Sequence, residues 1–181
     1  MRSLAVLVAS MAATGGAWPD SASSAARASG SEASLCFQNE EVIASCRLRQ
    51  KMVSVCGRSG SATYRFGRTG RIELSANGMY HAHQMFSGGG ESQIVVHKGD
   101  YQYVLYDSTI RTGFGRDGHN YPVFASGLMV LRNGRHLADM ACAPGTEAII
   151  DTNSAPRFMP AGAYVWHRGM GSSQLPRIRP Q

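Results

Sequence analysis

The 181-residue chain reads as an all-β protein, an antiparallel meander closing into a small barrel or sandwich of about eight strands. Three observations carry that expectation. From Val42 to Cys142 short β-prone runs are punctuated by Gly, Asn and Asp, no run of ten residues there shows a helical apolar period, and over the whole chain glycine supplies 21 of the 181 residues. The predicted strands are Val42–Arg47, Met52–Cys56, Ala62–Phe66, Arg71–Ser75, Ser92–His97, Tyr101–Tyr106, Gly127–Leu131 and Arg135–Cys142. Arg132-Asn133-Gly134-Arg135 places Asn-Gly where a two-residue type I′ turn needs two positive-φ residues, which sets Val130 opposite Leu137 and Met129 opposite Ala138. His97-Lys98-Gly99-Asp100 makes a second turn, into Tyr101–Tyr106. Tyr101, Tyr103 and Leu105 share one face of that strand and Gln102, Val104 and Tyr106 the other, so neither face is wholly polar and the strand belongs inside a sheet. Closure is expected because an open sheet of this size exposes adhesive edges.

Outside the strands, composition sets the boundaries. Arg2, the apolar run Leu4–Ala9 and the small residues after it read as a secretory signal peptide over 1–28, with cleavage after Ala17, within Ser21–Ser24 or after Ala28. Residues 29–35 form a spacer and 36–146 the β domain. Beyond Cys142 the chain turns to Pro, Gly, Ser and Arg, so 147–181 reads as a flexible tail whose removal leaves the domain folded. Tyr164-Val165-Trp166 is its one candidate for docking. No run of 18 apolar residues marks a transmembrane segment and no Cys follows the signal to carry a lipid, which predicts a soluble periplasmic or secreted protein.

Cys36, Cys46, Cys56 and Cys142 make an even count without a Cys-x-x-Cys pair, which favours two structural disulfides over a metal or redox site. Three connectivities are open, and bonding Cys142 to Cys46 or Cys56 ties the first strands to the last through a long loop. The formal charge is +6. Arg58, Arg65, Arg68 and Arg71 crowd into fourteen residues, a pattern that suits phosphates. Their interleaving with strand residues favours a solvated strand face, and no nucleic-acid partner is expected of an exported chain.

Two irregular segments, Ala76–Glu91 and Asp107–Ser126, are the expected binding loops. Gly-x-Ser-x-Gly, His-Glu-x-x-His and Ser-x-x-Lys are absent, which disfavours a secreted hydrolase without removing that reading. Ser87 precedes three glycines but lacks the strand-to-helix setting of a nucleophile. His81 and His83, two apart, would share one face of a strand, as a metal or small-ligand module requires, yet no spacing supplies a third ligand. No cofactor is expected.

Val53–Cys56, Tyr64–Gly67, Arg71–Leu74, Phe86–Glu91, Tyr101–Tyr106 and Cys142 together resemble a group of small exported bacterial β proteins over about 36–142. More distantly, Ser87-Gly88 resembles the Ser-Gly loop that periplasmic lysozyme inhibitors insert into the lysozyme cleft. The Tyr that follows in that motif has no counterpart, so only Ser87 and Gly88 carry over. The resemblance implies a non-enzymatic binding protein with a partner such as a cell-wall hydrolase. Its expected binding residues are Ser87, Gly88, Glu91 and Arg111, on the 86–91 and 107–126 loops.

Overall fold

The computed structural model describes residues 34–111, 113–144 and 149–165. The predicted signal peptide, residues 29–33 of the spacer, and Trp166 lie outside them. Among the described residues nine strands form two antiparallel sheets that stay separate, giving a sandwich rather than a barrel. The first holds β1 (Glu41–Leu48), β2 (Lys51–Arg58), β3 (Ser61–Arg68) and β4 (Arg71–Ala76), and the second β5 (Met79–Phe86), β6 (Gly89–Lys98), β7 (Tyr101–Ile110), β8 (Val123–Arg132) and β9 (Arg135–Ala141).

Each sheet is a simple meander in chain order. Strand β7 is the centre of its sheet, as its two apolar faces require. The Asn133-Gly134 turn forms with both residues at positive φ, 49° and 73°, and pairs Arg132 with Arg135. A bulge after Val130 then shifts the register, so Val130 faces Ala138 and Met129 faces Asp139, and Leu137 is left exposed. The expected pairing is therefore off by one residue. A larger correction concerns 76–91: it is no loop but strand β5, whose His and Gln residues hide the alternation, followed by a two-residue hairpin into β6. Likewise 107–110 and 123–126 continue β7 and β8, reducing the second irregular segment to 111–122.

Alternation decides which side chains meet between the sheets. Ala44, Val53, Val55 and Tyr64 from the first pack on Ile94, Val96, Leu105 and Leu128 from the second, with the Tyr64 ring stacked on Tyr103 at 5.5 Å. The outer face of the first sheet is covered by a strap over 34–40. Cys36 bonds Cys56, Leu35 N–H donates to Ser54 Oγ, and Arg65 reaches Glu40 with both terminal nitrogens at 2.5 and 2.7 Å. Arg65 is thus a buried ion-pair partner, stacked on Phe37, and not part of a solvated stripe. The second disulfide, Cys46–Cys142, spans 96 residues and ties β1 to the end of β9. Closing a loop of that size is worth about 4–5 kcal/mol in the chain-entropy model. Two disulfides fit an oxidising compartment, and no helix among the described residues is long and apolar enough to cross a membrane.

Residues 149–165 are not a flexible tail. Ile149, Ile150, Ala155 and Met159 are buried in the core between the sheets. Ser45 N–H donates to Ile149 O and Asp151 N–H to Ile43 O along the free edge of β1, and His81 exchanges backbone bonds with Pro160 and Gly162 along the free edge of β5. Between these pairings a four-residue helix, α1 (Ala155–Phe158), sets the Phe158 ring against Gly57. Nine of these seventeen residues are apolar, but Pro156, Pro160 and the lack of a strand or helix period disguise them, and backbone pairing to two edges adds to the anchoring.

Ending the chain at Pro144 therefore removes Ile149, Ile150 and Met159 from the core. At about 2–5 kcal/mol each, that loss rivals the total of about 5–15 kcal/mol for a small domain. The expected result is no cooperative thermal transition in circular dichroism; an unchanged midpoint would contradict the packing. The strap makes a pH prediction. The hydrogen bond from Arg65 holds the Glu40 carboxyl below its ordinary value of 4.5, against a smaller opposing effect of burial. A depressed acid stabilises fully above its unfolded value and loses that contribution as pH falls through the folded one. Glu40→Gln should thus melt earlier than wild type at pH 7, with the gap narrowing as pH drops below 4.5.

Candidate docking surface at one end of the second sheet

Strands β6, β7 and β8 are ten residues long, and at the β5–β6 hairpin end they carry one row of side-chain positions on the face that elsewhere meets the core: Met85, Gly90, Thr109 and Phe124. At about 4.8 Å per strand this row is about 14 Å across. It is not covered, since Met85 is 64% and Phe124 50% exposed. The hairpin tip, Ser87-Gly88, lies beyond the row. Gly88 O accepts a 2.5 Å hydrogen bond from Arg111 N–H, so the tip is fastened to the start of the 111–122 loop. Ser87, Gly88 and Arg111 are thereby brought to one end of the sheet, which the sequence left open, and it is the Arg111 backbone that makes the contact.

The loop is internally bonded. Gly115 N–H donates to His119 O at 2.7 Å and Gly118 N–H to Gly115 O at 3.0 Å, forming a turn within a miniature hairpin bridged at Phe114 and Asn120. Asn120 Nδ2 donates to Gly113 O, and Asp117 accepts from His119 N–H and from the Tyr121 hydroxyl. The Tyr121 bond holds the Asp117 carboxyl below its usual range and pushes the phenol up. This frame presents Phe114 at 77% and Tyr121 at 60% exposure. Neither was singled out as a binding residue from the sequence; an aromatic on each side of Arg116-Asp117-Gly118 was the available signal.

Glu91 does not join the rim. Strand β6 already begins at Gly89, which turns Glu91 to the outer face of the sheet, 1% exposed, where it accepts from Gln93 Nε2 at 2.6 Å and the Tyr164 hydroxyl at 2.8 Å. Burial, then the Glu91 charge, push the Tyr164 phenol up. Gln93 in turn pairs its side-chain amide with both backbone groups of Val165, holding the C-terminal segment over Val95, Val104 and Met129. Glu91 is thus part of the clamp on 164–165.

His81 and His83 do share a face of β5, and both line a cavity of about 270 Å³ with Ser92, Ile150 and Thr152. His83 Nδ1 lies 3.0 Å from Ser92 Oγ. Asp107 sits beside Ser92 on the far side from His83, and its carboxylate faces Ile150 N–H, with burial pushing its pKa up. An acyl-transfer triad needs the acid on the imidazole, which is not this order. Among the described residues the one cluster with metal-ligand geometry is Cys36, Glu40 and Cys56, whose sulfurs are bonded to each other, so the histidine pair gains no third ligand there.

Comparison of the chain with protein-family models, with curated proteins and with solved structures gives no match in any of the three.

Gly89 governs the hairpin. Its φ is +150° and a Cβ there would stand 1.8 Å from Thr109 O, inside any contact distance. Gly89→Ala should cost about 3 kcal/mol in chemical denaturation and speed hydrogen exchange at the Arg111 amide. Unchanged exchange would mean that the tip is not held by this backbone approach.

Proposed function

We propose that the chain is an exported, non-enzymatic binding protein, periplasmic or secreted, that grips another macromolecule with the Ser87-Gly88 tip, the 111–122 loop and the Met85–Phe124 row. The observation that carries this reading is the pre-ordered aromatic end: Phe114, Tyr121, Phe124 and Met85 are all at least half exposed on a backbone already fixed by hydrogen bonds. Aromatic residues, Met and Arg are the types enriched at the centres of interfaces, and a loop ordered before encounter spares the entropy of ordering on binding. The two disulfides support an oxidising compartment. The partner class favoured by the Ser-Gly resemblance is a cell-wall hydrolase of the lysozyme kind, into whose carboxylate-lined cleft the tip would donate hydrogen bonds.

The test is inhibition of lysozymes by the mature protein, with direct binding measured alongside. Ser87→Ala and Phe114→Ala should each weaken both by about tenfold or more, the loss of one central contact. Because the chain carries +6, association with a basic lysozyme should speed up as salt is added. Full inhibition by both variants, or none by the wild type, would overturn this assignment.

A further inference from the structure

The arginine-rich stretch re-sorts on folding. Arg65 leaves for the buried pair with Glu40 and Arg58 reaches the Asn39 side-chain amide, while Arg68 and Arg71 stand directly opposite each other across β3 and β4. Like charges so placed destabilise a sheet. Lys51 and Arg68 flank the neighbouring Met52–Gly67 pair, and the β1–β2 turn adds Arg49, so four cations gather at this end. The carboxylates nearby are engaged: Glu73 accepts from Lys51 at 2.6 Å and Asp139 from the Tyr106 hydroxyl at 3.0 Å. The Lys51 hydrogen bond, with Arg71 and Arg68 adding their charge, holds the Glu73 carboxyl below its usual range, a sign of the positive field.

Beside these cations opens a cavity of about 640 Å³, within the usual span of small-molecule sites of about 300–1,000 Å³. Leu48, Phe66 and Met140 form its apolar floor, continuous with the core, and Arg49, Gln50 and Lys51 line its rim. Lys51 Nζ lies 5.0 Å over the Phe66 ring, and Arg68, outside the lining itself, donates to Gln50 Oε1 of the rim. Asp139 also lines the cavity.

We infer that this cavity binds a phosphate-headed amphiphile, its apolar chain on Leu48, Phe66 and Met140 and its phosphate against Arg49, Lys51 and Arg68. An apolar floor alone would take any hydrophobe, and the cations alone any anion; their adjacency selects a molecule with both parts. Phosphate suits several converging cations because it spreads nearly two charges over three oxygens. The site shares no residue with the docking surface and does not depend on that reading.

Titration calorimetry with dodecyl phosphate below its micelle concentration tests the site, with inorganic phosphate and dodecyltrimethylammonium as controls. Dodecyl phosphate should bind at one site at least tenfold more tightly than either control, and added salt should weaken it. Arg49→Asn keeps the turn, since Arg49 sits at φ 33° where Asn is tolerated, and should reduce affinity at least fivefold. Phe66→Ala should weaken dodecyl phosphate and leave inorganic phosphate unchanged. Co-sedimentation with phosphatidylcholine vesicles containing phosphatidic acid, whose headgroup is a phosphate monoester, separates a membrane lipid, which pellets the protein, from a freely dispersed amphiphile, which does not; monomer binding supports the site in both cases. Equal affinity for the cationic amphiphile, or undiminished binding by Arg49→Asn and Lys51→Gln with unchanged circular dichroism, would overturn the inference.

Discussion

The open edges of β1 and β5, two of the four edge strands, are the constraint around which the rest of this molecule is arranged. A sandwich of two meanders leaves edge strands with unpaired N–H and C=O groups, and such edges recruit other chains. Here the chain after β9 supplies the pairing itself. Ala143, Ile149 and Asp151 bond along β1, and Pro160 and Gly162 bond to His81 on β5. The same segment buries Ile149, Ile150 and Met159 between the sheets, so edge protection and core completion are one event. The Cys46–Cys142 bridge delivers the segment to the edge of β1 at the point where its pairing begins.

That arrangement also determines which surface stays open. The three central strands of the second sheet have ten residues where the strands of the first sheet have six or eight, so its hairpin end carries a row that the core does not use. The returning segment covers the sheet at His81 and at Gln93, short of the row at Met85 and Phe124. The exposed end thus lies beyond the stretch that the segment reaches in pairing the β1 and β5 edges. Its rigidity comes from the Gly88–Arg111 bond and from the Asp117-centred turn, both of which are local and independent of the C-terminal segment.

The sequence made the strands legible wherever the alternation was apolar. Val53 and Val55 stand out by alternation, whereas Ile94, Val96, Leu105 and Leu128 adjoin the equally apolar Val95, Val104 and Met129 that pack on the other face; Asn133-Gly134 marks its turn. Strand β5 escaped because an edge strand beside a covering segment needs few apolar residues, and Tyr-His-Ala-His-Gln carries little hydrophobic contrast. The Leu137 bulge escaped for a different reason, since one extra residue leaves no compositional trace. The anchoring of 149–165 was hidden because its buried apolar residues follow no regular period and the rest of it rests on backbone bonds, which any residue but proline can donate. At the candidate rim, Ser87, Gly88 and Arg111 were legible as loop residues, but that the two loops meet was not, because it depends on the pairing of β6 with β7. Glu91 was lost to the other face by a single strand boundary, the parity effect that any register error produces.

Arginine illustrates why charge runs resist reading in one dimension. Arg65 and Arg68 are three residues apart on β3, with the bulge at Phe66–Gly67 between them. Arg65 points to the outer face, where the strap brings Glu40, and its bidentate bond satisfies the guanidinium in a dry setting. Arg68 lies at the strand end beside Arg71, with Gln50 as its hydrogen-bond partner. One residue type in one short stretch therefore serves as a structural clasp at one position and as unneutralised potential at another. The difference is set by the strap and the hairpin turns, which the Arg spacing alone does not encode. The positive charge left at the β1–β2 and β3–β4 turns is a cost to folding. A fold held by two disulfides and a doubly anchored C-terminal segment has the stability to carry it.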